Sequence, residues 1–302
     1  MQKDDNACPS CQRRQLAFQY ALTNPEFHTA RCRDCGFIAM HPYPSDSFLE
    51  RHYKERGLYN SEADESAYVR AVADRAKLIE GLLDRAGKRG ATGKAVDFGA
   101  GAGIGVAAQM SLGFTSLGIE TNPHAQSVGR RLFEAEIVDL SLDEMPGELA
   151  LFTVFEVLEH IKYPREFLAA VCTHMETSGT VLGTVPNYNG LARYIRGKHS
   201  IALAWPEHIN QFTRATLRRT LEEAGLDVVY IGFPPPYGVV FTFGLRAWIL
   251  KHLKPAAVAK TTASVITWVK KYIAYPLPNL FAEKTGFLGH GLVFVATKKT
   301  QA

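Results

Sequence analysis

The sequence predicts an α/β protein: a doubly wound, mostly parallel sheet of seven strands, preceded by a small four-cysteine ribbon and interrupted before its last strand by a helical insertion. Three observations carry that expectation. From residue 94 onward, strand-like and helix-like stretches alternate, the pattern of a parallel sheet covered on both faces. The first of those strands runs into "KAVDFGAGAG" (94–103), where Gly99, Gly101 and Gly103 alternate with small residues. Four of the five cysteines fall in two pairs, Cys8-Pro-Ser-Cys11 and Cys32-Arg-Asp-Cys35.

Taken in order, residues 1–45 read as a ribbon module. Two knuckles with 20 residues between them bring four thiolates tetrahedrally around one zinc ion. The opening "MQKDDNACPS" lacks the apolar stretch of an export signal, and no run of about 18 uncharged apolar residues occurs. The expectation is therefore a cytoplasmic chain in a reducing compartment, which argues against disulfides. Four sulfurs leave zinc no open position, so this metal would be structural. Cys172, alone in "FLAAVCTHM", reads as a core residue. "HPYPSDSF" (41–48) is a proline-punctuated exit.

Residues 46–233 with 291–302 read as the main domain. Val69, Val72, Ala76, Ile79 and Leu83 recur at helical spacing over 66–86. "AVDF" is a strand and 104–112 a helix that Gly113 stops. "TSLGIE" (115–120) is a strand, after which Asn122 caps a helix with Pro123 at its first position. "AEIV" (135–138) and "LALFTVF" (149–155) are strands. Pro164 opens a helix to His174, and "GTVLGTV" (179–185) follows as a strand. Thr213 to Ala224 is a helix, and "VVYIGF" (228–233) and "GLVFVAT" (291–297) are the last strands.

The glycine loop fails two familiar tests. From Gly99 the sixth position is Ile104, and from Gly101 it is Val106, so the dinucleotide fingerprint is broken; the phosphate-loop lysine is missing as well. The loop lies at the carboxyl end of its strand, where open α/β sheets bind ligands. Glu120, ending the next strand, is placed to accept both hydroxyls of a ribose. No basic residue lies between Ala95 and Glu120, so this stretch suits a phosphate-free nucleoside, cationic ones included.

"AVDFGAGAG", "LGIETNP", "LFTVFEVLEHIKYPREFL", "GTVLGTVPN" and "EHINQFTRATLRRTLEEAGL" resemble, in order and spacing, the class I S-adenosylmethionine-dependent methyltransferases, which have a Rossmann-like sheet. The paired cysteines resemble the zinc module that precedes some of them, including sugar C-methyltransferases. The resemblance implies that Gly99, Gly101 and Gly103 flank the methionine part of S-adenosylmethionine and that Glu120 holds the ribose. Asp139 would lie near the adenine amine, with Asp143 as its rival. Asp97 would fix the loop or reach the amino group through water, and Glu156 would face the sulfonium end. Ala100, Thr121, Leu140 and Phe155 complete the implied cofactor set.

Methyl transfer to a hydroxyl needs aligned partners and a base for the proton. His160 in "EVLEHI" and His208 in "WPEHINQF" are the candidates, with Glu207 beside the latter. In the sugar C-methyltransferases a Tyr-x-Glu-His segment carries acid–base roles. Trp205 stands where that tyrosine would be, which speaks against C-methylation and leaves a histidine base. The expected acceptor is a sugar, a saccharide or a related hydroxylated metabolite. An RNA methyltransferase with a zinc recognition module is the first alternative, opposed by the absence of an N-P-P-Y-type segment and by a net charge of only +4. A cofactor-binding scaffold without catalysis is the second.

Residues 234–290 break the pattern as a basic, apolar insertion. No acidic residue occurs between Asp227 and Glu283, while Arg246, Lys251, Lys254, Lys260, Lys270 and Lys271 are positive and Trp248 and Trp268 stand among apolar neighbours. Three readings stand: a helical cap over the cleft, a homodimer face, or a surface that binds anionic lipid at the inner membrane.

Overall fold

The computed structural model describes residues 7–22, 24–45, 47–49, 51–52, 65–190, 193–194, 197, 200, 203–233 and 291–300. The insertion 234–290 lies outside the described residues. Among the described residues, no helix is long and apolar enough to cross a membrane.

The chain begins with three short strands, β1 (Leu16–Ala21), β2 (His28–Cys32) and β3 (Ile38–His41), then α1 (Glu65–Arg85). The alternation follows as β4 (Gly93–Phe98), α2 (Ile104–Ser111), β5 (Phe114–Ile119), α3 (Pro123–Phe133), β6 (Ile137–Val138), β7 (Leu149–Phe155), α4 (Pro164–His174) and β8 (Met175–Pro186). The last elements are β9 (Asn210–Gln211), α5 (Arg214–Glu223), β10 (Leu226–Gly232) and β11 (Gly291–Lys298). Seven strands form one sheet in the order β10-β11-β8-β7-β4-β5-β6. The pairings among β4 to β8 are parallel, and β11 runs antiparallel to both its neighbours. The α/β class and the mostly parallel seven-stranded sheet are thus as the sequence predicts.

Several boundaries differ by one or two residues, those of β4, β5 and β10 among them, and the start of β8 by four. β6 holds two residues, not four, because it is an edge strand whose register is limited to Gly118↔Ile137 and Ile119↔Val138. β8 starts at Met175, directly after α4, because Met175 already pairs with Leu149.

Period-two alternation divides the sheet's side chains between two cores. Phe152, Leu292 and Phe294 face one core with Leu168, Leu217 and Leu221; Leu151, Val293 and Val295 face the other with Ile79, Leu82 and Leu83 from α1. The first core also contains Cys8, Cys32, Phe37 and Ala39, so the N-terminal segment packs on the main sheet. A second sheet, β1-β2-β3-β9, makes the same connection through the backbone. Its fourth strand lies far along the chain, with Ile38↔Gln211 and Ala39↔Asn210 antiparallel.

Candidate functional site

The carboxyl ends of four adjacent parallel strands put their loops in one row: Glu156 after β7, Gly99 after β4, Glu120 after β5 and Asp139 after β6. The glycine loop is pinned from both sides. The N–H groups of Gly99 and Ala100 donate to the Ile119 carbonyl at 2.9 and 3.0 Å. The Gly101 N–H donates to Glu120 Oε2 at 2.9 Å, and the Asn122 N–H donates to Glu120 Oε1 at 2.8 Å. Glu120 therefore staples two loops together, and each of its oxygens keeps a lone pair for a further donor. Gly99 has φ +71°, and a Cβ there would lie 2.5 Å from Val157 Cγ2. A side chain is excluded on both counts, so the backbone stays open at this point.

Asp97 lies beneath the loop, fully buried. It accepts from Thr153 Oγ1, which in turn accepts from Gln109 Nε2 at 2.8 Å. A Cβ on Gly105 would fall 2.1 Å from its Oδ2, so the first turn of α2 closes over this carboxyl. Burial pushes the Asp97 pKa up to about 6, against the pull of Thr153 and of the Arg75 charge.

Asp139 and Leu140 directly follow β6, while Asp143 sits in a single 3-10 turn (Leu142–Glu144) closed by a capping box between Ser141 and Glu144. Asp139 and Thr121 are exposed, Ala100, Gly101 and Gly103 are buried, and Phe155 is 9% exposed. Glu156 adopts φ +56°, a strained conformation for a non-glycine residue.

Arg75 of α1 was not singled out from the sequence. Its guanidinium stacks 3.7 Å from the centre of the Phe155 ring, and its charge acts on both Asp97 and Glu156. A search for cations within the loop itself misses it, because it arrives from a helix some twenty residues earlier in the chain.

Beyond Glu156, a 3-10 turn (Leu158–His160) meets the segment before β9. His160 Nδ1 donates to the Glu207 carbonyl at 2.8 Å. A carbonyl only accepts, so Nδ1 carries the proton and Nε2 of the neutral ring presents its lone pair. That Nε2 lies 3.8 Å from Glu159 Oε1, and His208 Nε2 lies 4.0 Å from the same oxygen. The two imidazoles are edge to face at 5.0 Å. The Glu207 carboxylate is turned away to His52 Nε2, at 3.0 Å.

Glu159 is the second residue the sequence reading did not place in the site. It is 1% exposed, and neither carboxylate oxygen has a hydrogen-bond partner among the described residues. Burial first, and then the Glu156 charge, hold its pKa well above the usual range. Burial lowers His160 to about 4. The ligand atoms of Glu159, His160 and His208 lie within 4.8 Å of one another. The available signal was the three-residue step from Glu156 to Glu159 in "FEVLEH", which stacks two acids at one strand end.

The four paired cysteines also converge within 4.8 Å. Cys8 Sγ is 3.5 Å from Cys35 Sγ, and Cys11 Sγ is 3.6 Å from Cys32 Sγ. A tetrahedron of zinc–sulfur bonds of about 2.3 Å has edges of about 3.8 Å, close to these spacings. The two knuckles match: the Gln12 N–H donates to the Cys8 carbonyl and the Gly36 N–H to the Cys32 carbonyl, and Gln12 and Gly36 both have positive φ. All four cysteines are free of disulfides and could hold a zinc ion. Cys172 is buried in the main core.

A family model described as "Methyltransferase domain" matches residues 71–231. A ubiquinone biosynthesis O-methyltransferase from Thiobacillus denitrificans is 30% identical over 149 residues, covering 44% of this chain and 64% of its own length. One of the same description from Burkholderia pseudomallei is 29% identical over 154 residues, covering 46% and 66%. The chain thus spans a little under two thirds of the length of these curated relatives. Among solved structures, magnesium protoporphyrin IX methyltransferase from Synechocystis PCC 6803, with bound S-adenosylhomocysteine, shares the fold at a TM-score of 0.50 and 10% identity, over 84% of this chain and 97% of its own.

Proposed function

Since this chain belongs to the methyltransferase-domain family, we propose that it transfers a methyl group from S-adenosylmethionine to an oxygen of a hydroxylated small molecule, a sugar or saccharide among the candidates. The observation that carries the reading is the row of four loop ends, with Glu120 fixed between the glycine loop and Asn122. The residues fit the cofactor. A glycine cradle bars a Cβ, one carboxylate stands ready for ribose hydroxyls, and the loop holds no cation for a phosphate. When bound, the cofactor supplies an electrophilic methyl group on sulfur. Gly99, Gly101 and Gly103 line its amino-acid part with Ala100. Glu120 and Thr121 take the ribose, Asp139 and Leu140 the adenine, and Phe155 and Glu156 the sulfonium side, with Arg75 beside them. Asp139 is preferred to Asp143 because it leaves the strand end directly.

His208 is the base in this reading. The acceptor oxygen forms its bond to the methyl carbon as the carbon–sulfur bond breaks, and the hydroxyl proton passes to the imidazole. Glu159 and His160 hold the ring and its charge. The support is the convergence of the three side chains beside the end of β7. The relatives named above are O-methyltransferases, which favours oxygen as the acceptor atom.

A second reading rests on Glu159. Two buried carboxylate oxygens without hydrogen bonds among the described residues, with two imidazoles beside them, suit a divalent cation held by Glu159, His160 and His208. It would lower the pKa of a bound hydroxyl in place of a histidine base. The cysteine cluster is read as a structural zinc site, since four sulfur ligands close the coordination shell.

The test is a methyl-transfer screen of nucleotide sugars, saccharides and polyhydroxylated phenols, read by mass. With the best acceptor, His208→Ala is expected to lower turnover about 100-fold or more and leave S-adenosylhomocysteine affinity unchanged. Wild-type turnover in that variant would contradict both readings. Loss of activity on chelation, restored by magnesium or manganese, selects the cation; indifference to chelation selects the base. Cofactor binding without transfer to any acceptor would contradict the enzymatic proposal and leave a scaffold.

A further inference from the structure

We infer that the N-terminal ribbon positions the acceptor-side residues through Asn210, which ties Tyr43 of the ribbon to the turn that carries Glu159 and His160.

Asn210 is 1% exposed and belongs to both structures at once. Its backbone lies opposite Ala39 in the β3–β9 pairing, and the Met40 N–H donates to the adjacent Ile209 carbonyl at 2.7 Å. Its side-chain oxygen accepts from Tyr43 Oη at 3.2 Å. Its amide nitrogen donates to the carbonyl of Ile161, the residue that ends the Leu158–His160 turn. The amide therefore uses one end on the ribbon and the other on the Glu159–His160 turn. A buried amide satisfied on both sides holds its two neighbours in a fixed relation. Lys162, next along the turn, has its ammonium 5.4 Å from the Tyr43 ring centre.

The same strand sets His208. Gln211 donates through Nε2 to the His208 carbonyl at 2.6 Å, and His160 reaches the Glu207 carbonyl. β3 itself starts from the second cysteine knuckle, whose turn is closed by the Cys32 N–H on the Phe37 carbonyl at 2.8 Å. A continuous path thus runs from the cysteine hairpin through β3 and β9 to both imidazoles. The cofactor loops after β4, β5 and β6 lie outside this path, while Phe155 and Glu156 immediately precede its turn. Asn210 and Tyr43 are accordingly positioning residues for the acceptor side.

The inference rests on the reading of Glu159, His160 and His208 as the acceptor-side group, and its test does not require that reading. Tyr43→Phe removes one hydroxyl, and Asn210→Ala removes the whole bridge. Imidazole nitrogen NMR, with the His160 signals assigned by their absence in His160→Gln, reports the Nδ1-protonated form directly. In both variants those signals are expected to shift or lose the Nδ1–H signature. Calorimetry with S-adenosylhomocysteine should stay within about twofold of wild type, because the loops after β4 and β5 keep their own hydrogen bonds to Glu120 and Ile119. Unchanged imidazole spectra in both variants would overturn the inference, and so would a common loss of S-adenosylhomocysteine affinity, which would mean general loosening. Should His208→Ala keep wild-type turnover in the acceptor screen while these spectra still move, the functional reading fails and the coupling stands.

Discussion

Asp97, next to last in β4, is a buried acid, and its titration can be followed. Its folded pKa of about 6 lies above the ordinary 3.8. The folded chain therefore takes up a proton below pH 6 that the unfolded chain takes up only near 4. Stability from this residue grows as pH falls through 6, and two pKa units correspond to about 3 kcal/mol. His160 has the opposite sign. Its folded pKa of about 4 lies below the ordinary 6.5, so its contribution is present above pH 6.5 and is lost toward pH 4. That contribution is the smaller, because the side chain is 27% exposed. Asp97→Asn removes the compensating uptake. The variant's deficit in urea stability against wild type is expected to widen between pH 7.5 and 5; a pH-independent deficit would contradict the burial argument. Residues of this kind were only partly legible in the sequence. The Asn122 cap was readable because its partners lie within three positions, and Glu120 because it directly follows a strand whose apolar pattern marks its end. Arg75 and Glu159 were not, because their roles come from packing between distant elements.

At the scale of elements, the glycine loop and β9 stand at opposite ends of legibility. The loop announces itself by composition after an apolar run, and the structure gives Gly99 a left-handed φ against Val157. Gly99→Ala must strain the backbone by about 1 kcal/mol and push Val157 or the loop aside. The expected result is at least about a tenfold loss of S-adenosylhomocysteine affinity, with a melting temperature only a few degrees lower. Wild-type affinity by calorimetry would show that the loop tolerates a side chain and does not line the cofactor. β9, by contrast, is two residues long and pairs with a strand some 170 positions earlier. No local pattern marks it, since its polar residues, Asn210 and Gln211, are buried only once the ribbon has docked. For the same reason the sequence suggests a ribbon beside a domain, where the structure has the ribbon's third strand completing its sheet with a piece of the main chain.

Over the whole molecule, the sheet sorts two tasks along one edge. β4, β5 and β6, with Phe155 and Glu156 at the end of β7, carry the positions assigned to the cofactor, and the turn after β7 with the ribbon-paired segment carries the acid and imidazole groups assigned to the acceptor. Fold class and the glycine loop were readable because strand–helix alternation and glycine spacing are local signals; the group assigned to the acceptor side joins residues 43, 159 and 208 from distant elements, of which the sequence singled out only His208. The central claim is that the row of loop ends binds S-adenosylmethionine with Glu120 as its ribose anchor. Isothermal titration of S-adenosylhomocysteine into the wild-type chain and Glu120→Ala tests it most directly. The account predicts one site per chain, and a loss of about 2 kcal/mol, roughly thirtyfold, in the variant, since hydrogen bonds to a charged group are removed. No binding by wild type, or equal affinity in the two proteins, would contradict it.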